Sequence, residues 1–97
     1  MDRLCFDWDP RKASANRAKH GVTFEEALTV FADEAALLIR DPDHSEDEER
    51  FVLLGMSAHL RVLVVVHCDR ETEDVIRIVS ARKATRTERR RYIERSK

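Results

Sequence analysis

The sequence predicts a small α+β domain. Three observations carry that reading. Two capped helical segments occupy the first third of the chain, three β-branched runs at hairpin spacing fill its second half, and a basic helical segment closes it. With 97 residues the chain holds one domain, 1–97, around one modest core. At 42% apolar and 38% charged residues, it must also carry a heavily ionised surface.

Leu4-Cys5-Phe6-Asp7-Trp8 alternates as a short strand, with Leu4, Phe6 and Trp8 on one face. Asp9-Pro10 opens a helix, because Asp accepts from the first free N–H groups and Pro lacks an N–H that would go unpaired there. Gly21, just past His20, supplies the left-handed stop. Thr23-Phe24-Glu25-Glu26 reads as a capping box in which Glu26 reaches back to the threonine, and Phe24, Ala27, Leu28 and Phe31 form one apolar stripe. A strand over 35–40, with Leu37 and Ile39 sharing a face, ends at Asp41-Pro42-Asp43, and an acidic loop runs from His44 to Glu49.

The period then becomes two. Runs at 51–54, 62–66 and 75–79 are joined by segments of hairpin length, and the middle run, apolar at every position, is expected at the centre of an antiparallel sheet, covered on both faces. Residues 84–96 form the last helix, started by a second box, Thr85-x-x-Glu88.

Charge is unevenly divided. Residues 1–49 hold 6 Lys/Arg against 13 Asp/Glu, whereas 50–97 hold 12 against 6. The basic half points to a polyanion or an acidic protein partner, or else to a sequence dipole that folding mixes together. Arg77, inside the run 75–79, either pairs with a carboxylate on a neighbouring strand or clamps phosphate on an open sheet face, and Arg61 and Arg82 join it if the meander brings the strand ends together. Glu49-Arg50 is either a solvated loop end or a place where Glu49 acts as a base or as an orienting partner for an arginine. Trp8 and Tyr92 stack bases or pack at the core edge. His20, His44, His59 and His67 show no metal-ligand spacing, and His67 and Cys68, being adjacent, point to opposite faces of a strand, so no metal or cofactor is expected. His20 has a structural reason at a helix end, which leaves His44 as the remaining titratable candidate. Two glycines preclude a phosphate-binding glycine loop. No run of about 18 apolar residues is present, so no membrane association is expected. Met1-Asp2-Arg3-Leu4-Cys5 lacks the pattern of a secretory signal, so a cytoplasmic location with reduced Cys5 and Cys68 is expected.

Several blocks occur together in order: Phe6-Asp7-Trp8-Asp9-Pro10, Lys12-Ala13 with Asn16, Lys19-His20-Gly21-Val22, Thr23 to Ala27, His44-Ser45, Glu49-Arg50-Phe51, Arg77 to Arg82 and Glu88-Arg89-Arg90-x-Tyr92. Together they resemble the BrnT family of bacterial type II toxins. The resemblance implies a RelE-like ribonuclease fold, RNA cleavage that halts translation without a metal, and a BrnA-like antitoxin whose complex with the toxin binds operator DNA. It also implies attack of an RNA 2′-hydroxyl on the adjacent phosphate. On this reading Arg61 and Arg77 contact the phosphate with Arg82 in support, Glu49 is the base, and His20 and Lys19 stand in reserve. Lys19, Arg50, Arg86, Arg89 and Tyr92 would hold RNA. The alternative is a non-catalytic module that docks nucleic acid or protein through its basic half.

Overall fold

The structure, a computed structural model, describes residues 5–40, 50–70 and 74–95. Strand β1 (Cys5–Asp7) leads into helix α1 (Pro10–His20), helix α2 (Phe24–Thr29) and a single 3-10 turn, Val30–Ala32. Strands β2 (Leu37–Arg40), β3 (Arg50–Met56), β4 (Val62–Arg70) and β5 (Val75–Lys83) follow, and helix α3 (Arg86–Arg95) closes the chain.

The helix boundaries follow their caps. Asp9 accepts from the Arg11 N–H at 2.8 Å, and Gly21 ends α1 at φ 68°, a left-handed conformation that glycine adopts without a Cβ clash. Thr23 Oγ1 accepts from the Glu26 N–H at 3.1 Å, but the Glu26 carboxylate does not reach back as the box pattern predicts; it turns towards the sheet. In α3 the box is complete. Thr85 N–H donates to Glu88 Oε1 at 2.8 Å, and Glu88 N–H donates to Thr85 Oγ1 at 3.2 Å.

The sheet order is β1-β5-β4-β3-β2, so β4 is central. Strands β2 to β5 form an antiparallel meander. The fully antiparallel sheet expected from the hairpin spacing needs one correction: β1 lies parallel to β5, pairing Cys5–Asp7 with Val75–Arg77. The chain reaches that position by crossing one face of the sheet through α1 and α2, a connection long enough to bring a parallel strand to the far edge. The strands also run longer than their apolar runs, because the flanking polar residues pair as well; β5 continues to Lys83, and α3 begins only at Arg86.

Each face has its own core. Under α1, α2 and the 3-10 turn lie Val22, Phe24, Ala27, Val30, Leu53, Leu63, Val65, Ile78 and Ala81. Gly55 is required on that side, since an added Cβ would come within 2.8 Å of Val30 Cγ1 and 2.9 Å of Ala36 Cβ. On the other face Tyr92 of α3 covers Leu54, Val62 and Val64. Trp8 and Phe24 meet edge to face with centroids 5.9 Å apart, so Trp8 is a core-edge residue. No helix among the described residues is long and apolar enough to cross a membrane.

Candidate nucleic-acid interface

The site begins with a bulge in β5. His67 pairs with Ile78 and Val66 pairs with Ser80, which leaves Val79 as an extra residue. In a regular strand residues 77 and 82, an odd number apart, would face opposite ways. The bulge corrects the parity. Ile76, Ile78 and Ala81 face the helices and are buried, while Arg77, Ser80 and Arg82 share the face that bears α3. Cross-strand pairing extends this row, for Arg77 stands between Asp7 on β1 and Cys68 on β4, and Cys68 stands between Arg77 and Arg50 on β3. Two strand spacings place the Arg77 and Arg50 backbones about 10 Å apart on one face. His67, on the opposite face from Cys68, lies among rings, with centroids 4.9 Å from Phe31 and 5.8 Å from Phe51.

The guanidinium of Arg77 is loosely held. Its partner among the described residues is Asp7, one contact at 3.4 Å between side chains 32% and 43% exposed. Arg50 is half-buried, and its Nε is enclosed without a hydrogen-bond partner among the described residues. A buried guanidinium N–H with no acceptor is an unmet demand that an anionic oxygen satisfies well. Arg82 is tied more firmly, donating to both Glu88 carboxylate oxygens at 2.8 and 3.0 Å. That fork, together with the Thr85 N–H, holds the Glu88 carboxyl down at about 2 despite its partial burial. Arg82 is therefore spent on fixing the start of α3 beside the row.

Arg61 does not join this group. Its side chain lies on the opposite face, where Nε donates to Glu26 Oε2 at 2.9 Å and Nη2 donates to Glu26 Oε1 and to the Gly21 carbonyl. Glu26 is 4% exposed and also accepts from Ser57 Oγ at 2.6 Å, with His59 Nδ1 3.6 Å away. The Arg61 hydrogen bonds outweigh burial and hold this carboxyl below its ordinary value. The expected meeting of three arginines thus reduces to Arg77 and Arg82, because Arg61 precedes Val62 on the turn, and the alternation of β4 sends it to the helix side. Lys19 and His20 end α1 next to Gly21, at this same corner, away from Arg77.

Tyr92 is not placed to stack a base. It is 5% exposed, and its hydroxyl donates to Asp33 Oδ2 at 2.7 Å. Burial, then the bond to Asp33, pushes its phenol up to about 12. Asp33 itself is drawn down, its burial outweighed by bonds from the Met56 and Ala35 N–H groups and from Tyr92. Arg86 and Arg89 are exposed on α3. Glu49 and His44 lie outside the described residues. Among the described residues, no three His, Cys, Asp or Glu side chains gather in a way that could hold a metal ion.

Two supporting residues escaped sequence reasoning. Asn16 is 7% exposed; its amide donates to the Ala81 and Val22 carbonyls at 2.8 and 3.0 Å and accepts from the Ala81 N–H at 3.1 Å. It occupies the edge of β5 beyond the three residues that β1 pairs. Its signals in the sequence are its place in the block Lys12-Ala13 with Asn16 and its polarity on a helix without an apolar stripe. Glu26 has the local spacing of a capping box, whereas its side-chain partners lie 31 and 35 residues away.

Residues 8–88 match the family model of the ribonuclease toxin BrnT of type II toxin–antitoxin systems. The chain belongs to the BrnT family. The crystal structure of the Brucella abortus ribonuclease toxin BrnT is similar in fold, with a TM-score of 0.63 and 21% identity over 87% of this chain and 100% of that one. No curated protein sequence matches the chain. Within the BrnT family match fall β5 with its bulge, the Arg77–Cys68–Arg50 row and the Glu26–Arg61 lock.

Proposed function

We propose that the chain is an endoribonuclease toxin that cuts RNA without a metal, arrests translation and is neutralised by an antitoxin of the BrnA kind, the complex then acting on operator DNA. The observation that carries this reading within a BrnT ribonuclease toxin is the row on the open sheet face, where, among the described residues, Arg77 has one weak partner and the Arg50 Nε–H has none. Arg77 and Arg50 grip the phosphate that is attacked. Planar guanidiniums bind two anionic oxygens and stabilise the extra charge of a pentavalent phosphorane. Arg82 and Glu88 keep α3 clear of the phosphate seat. Glu49, next to Arg50 in sequence, takes the 2′-hydroxyl proton. Arg61 and Tyr92 serve the scaffold, Lys19 and His20 stand in reserve at the end of α1, and Arg86 and Arg89 contribute to a basic surface on α3.

The test is purified protein with RNA in EDTA, in parallel with growth after induction so that ribosome-dependent cutting is also scored. Wild type should cleave or arrest growth, and Arg77→Ala should do neither. Its melting temperature should stay close to wild type, because an exposed pair of this kind contributes at most about 1 kcal/mol. RNA that stays intact but binds with strong salt dependence, in cells that keep growing, would replace the nuclease with a docking module.

A further inference from the structure

The turn joining β3 to β4 is built with unusual care around a residue that does nothing for it. Leu60 has φ 62°, a left-handed conformation disfavoured for a bulky side chain. Its side chain is nevertheless 79% exposed. The turn does not need it, because every backbone N–H from Ser57 to Arg61 already has an acceptor. Ser57 and Leu60 bond across the turn, Ala58 bonds to Thr29 Oγ1 at 2.8 Å, and His59 and Arg61 bond to Ser57 Oγ. Ser57 is anchored in turn on buried Glu26. A rigid turn therefore holds an aliphatic side chain in water, in a conformation that Asn or Gly would adopt more readily.

Its surroundings say what it is for. Leu60, Lys83 and Arg89 line one shallow groove, and Arg89 also lines the next, with Arg86, Arg90, Ile93 and the carboxylate-bearing Glu94, so cations outnumber the anion there. Ile93 is 43% exposed, so two of the three large exposed apolar side chains among the described residues sit at the two ends of one surface. Between them Lys83, Arg86, Arg89 and Arg90 have no carboxylate within ion-pair distance among the described residues. This surface is at the far end of the strands from the Arg77 row, about 20 Å away along β4 from Val62 to Cys68.

We infer that the Leu60–Ile93 surface docks a protein segment carrying apolar side chains flanked by carboxylates, and that in this protein the segment belongs to the antitoxin. The identity of the partner rests on the function proposed above. Aliphatic anchors favour protein over RNA here, because a sugar-phosphate chain gains little from leucine or isoleucine, whereas an acidic amphipathic segment uses both the anchors and the four cations.

The test co-expresses the chain with the product of the adjacent reading frame and measures affinity by calorimetry at two salt concentrations. Leu60→Asn puts a residue that tolerates positive φ at this position, so it should melt at or above the wild-type temperature and cleave RNA normally. Its affinity for that product should fall at least 10-fold. Lys83→Glu with Arg90→Glu should weaken binding and flatten its salt dependence. Wild-type binding that survives Leu60→Asn unchanged would overturn the docking assignment while leaving the toxin reading intact. No wild-type binding would remove the antitoxin reading and this occupant with it. A loss of RNA cleavage in Leu60→Asn, or a dimer of the chain alone that it converts to monomer, would assign the surface to RNA or to a second copy instead.

Discussion

Replacing Glu26 by Gln isolates the lock that joins α2 to the β3–β4 turn. The side chain keeps its volume but loses its charge, and one of its two oxygens becomes an NH2 group. In the native lock those oxygens accept from Ser57 Oγ at 2.6 Å, from Arg61 Nε at 2.9 Å and from Arg61 Nη2. Gln can serve one of these oxygen sites, so the other confronts donors with a donor. Hydrogen bonds to charged groups contribute about 1.5–3 kcal/mol each, and removing one member of a buried pair costs about 3–5. The Arg61 side chain is 32% exposed and regains water, which puts the expected loss near the lower end, about 2–3 kcal/mol. In a domain of this size that is a melting temperature lower by about 10–20 °C. The pH dependence is equally specific. Glu26 is held below its ordinary 4.5 when folded, so its contribution is present above about that pH and is lost as pH falls through the lower folded value. Thermal melts of both proteins from pH 8 to pH 3 should show a constant gap that closes on the acid side. A gap below about 0.5 kcal/mol at neutral pH, or one that does not narrow in acid, would refute the argument.

Asn16→Ala strands the Ala81 N–H and two carbonyls in a buried edge and should cost about 2–4 kcal/mol in urea unfolding, with Asn16→Asp no rescue because it cannot donate. Gly55→Ala drives a methyl to within 3 Å of Val30 and Ala36 and should cost about 1–3 kcal/mol, partly recovered by Val30→Ala, as denaturant midpoints would reveal. Glu88 drops to about 2 on folding, so its hold on Arg82 and Thr85 is complete above about pH 4.5 and lost towards pH 2; the amides of α3 should therefore lose exchange protection across that window in wild type but not in Glu88→Gln, which starts with α3 loosened.

Much of the frame is readable because it is local. Asp9-Pro10, Gly21, Thr23 and the Thr85–Glu88 box fix helix ends through contacts within a few residues, and the unbroken apolar run at 62–66 fits only a central strand. What could not be read depends on distant partners. The parallel seat of β1 is decided by Val75–Arg77, and the destination of Glu26 by Ser57 and Arg61. The bulge at Val79 has no signature in its own residues, yet it determines which arginines stand together. Of the candidate site, Arg77 and Arg50 emerge on one face as proposed phosphate ligands, whereas Arg61 and Tyr92 were singled out by residue type and turn out to be held by carboxylates that a linear pattern does not reveal.

The pairing of β1 with β5 ties segments some 70 residues apart together in time as well as in space. Cys5–Asp7 has nothing to bond until Val75–Arg77 exists, and Asn16 waits for Ala81. During synthesis Cys5–Asp7 must wait until Val75–Arg77, some 70 residues later, has emerged, and closure over so long a separation is slow. A chain interrupted before β5 lacks Arg77, so Asp7 is without that ion pair, and neither the β1 edge nor the Asn16 anchor can form.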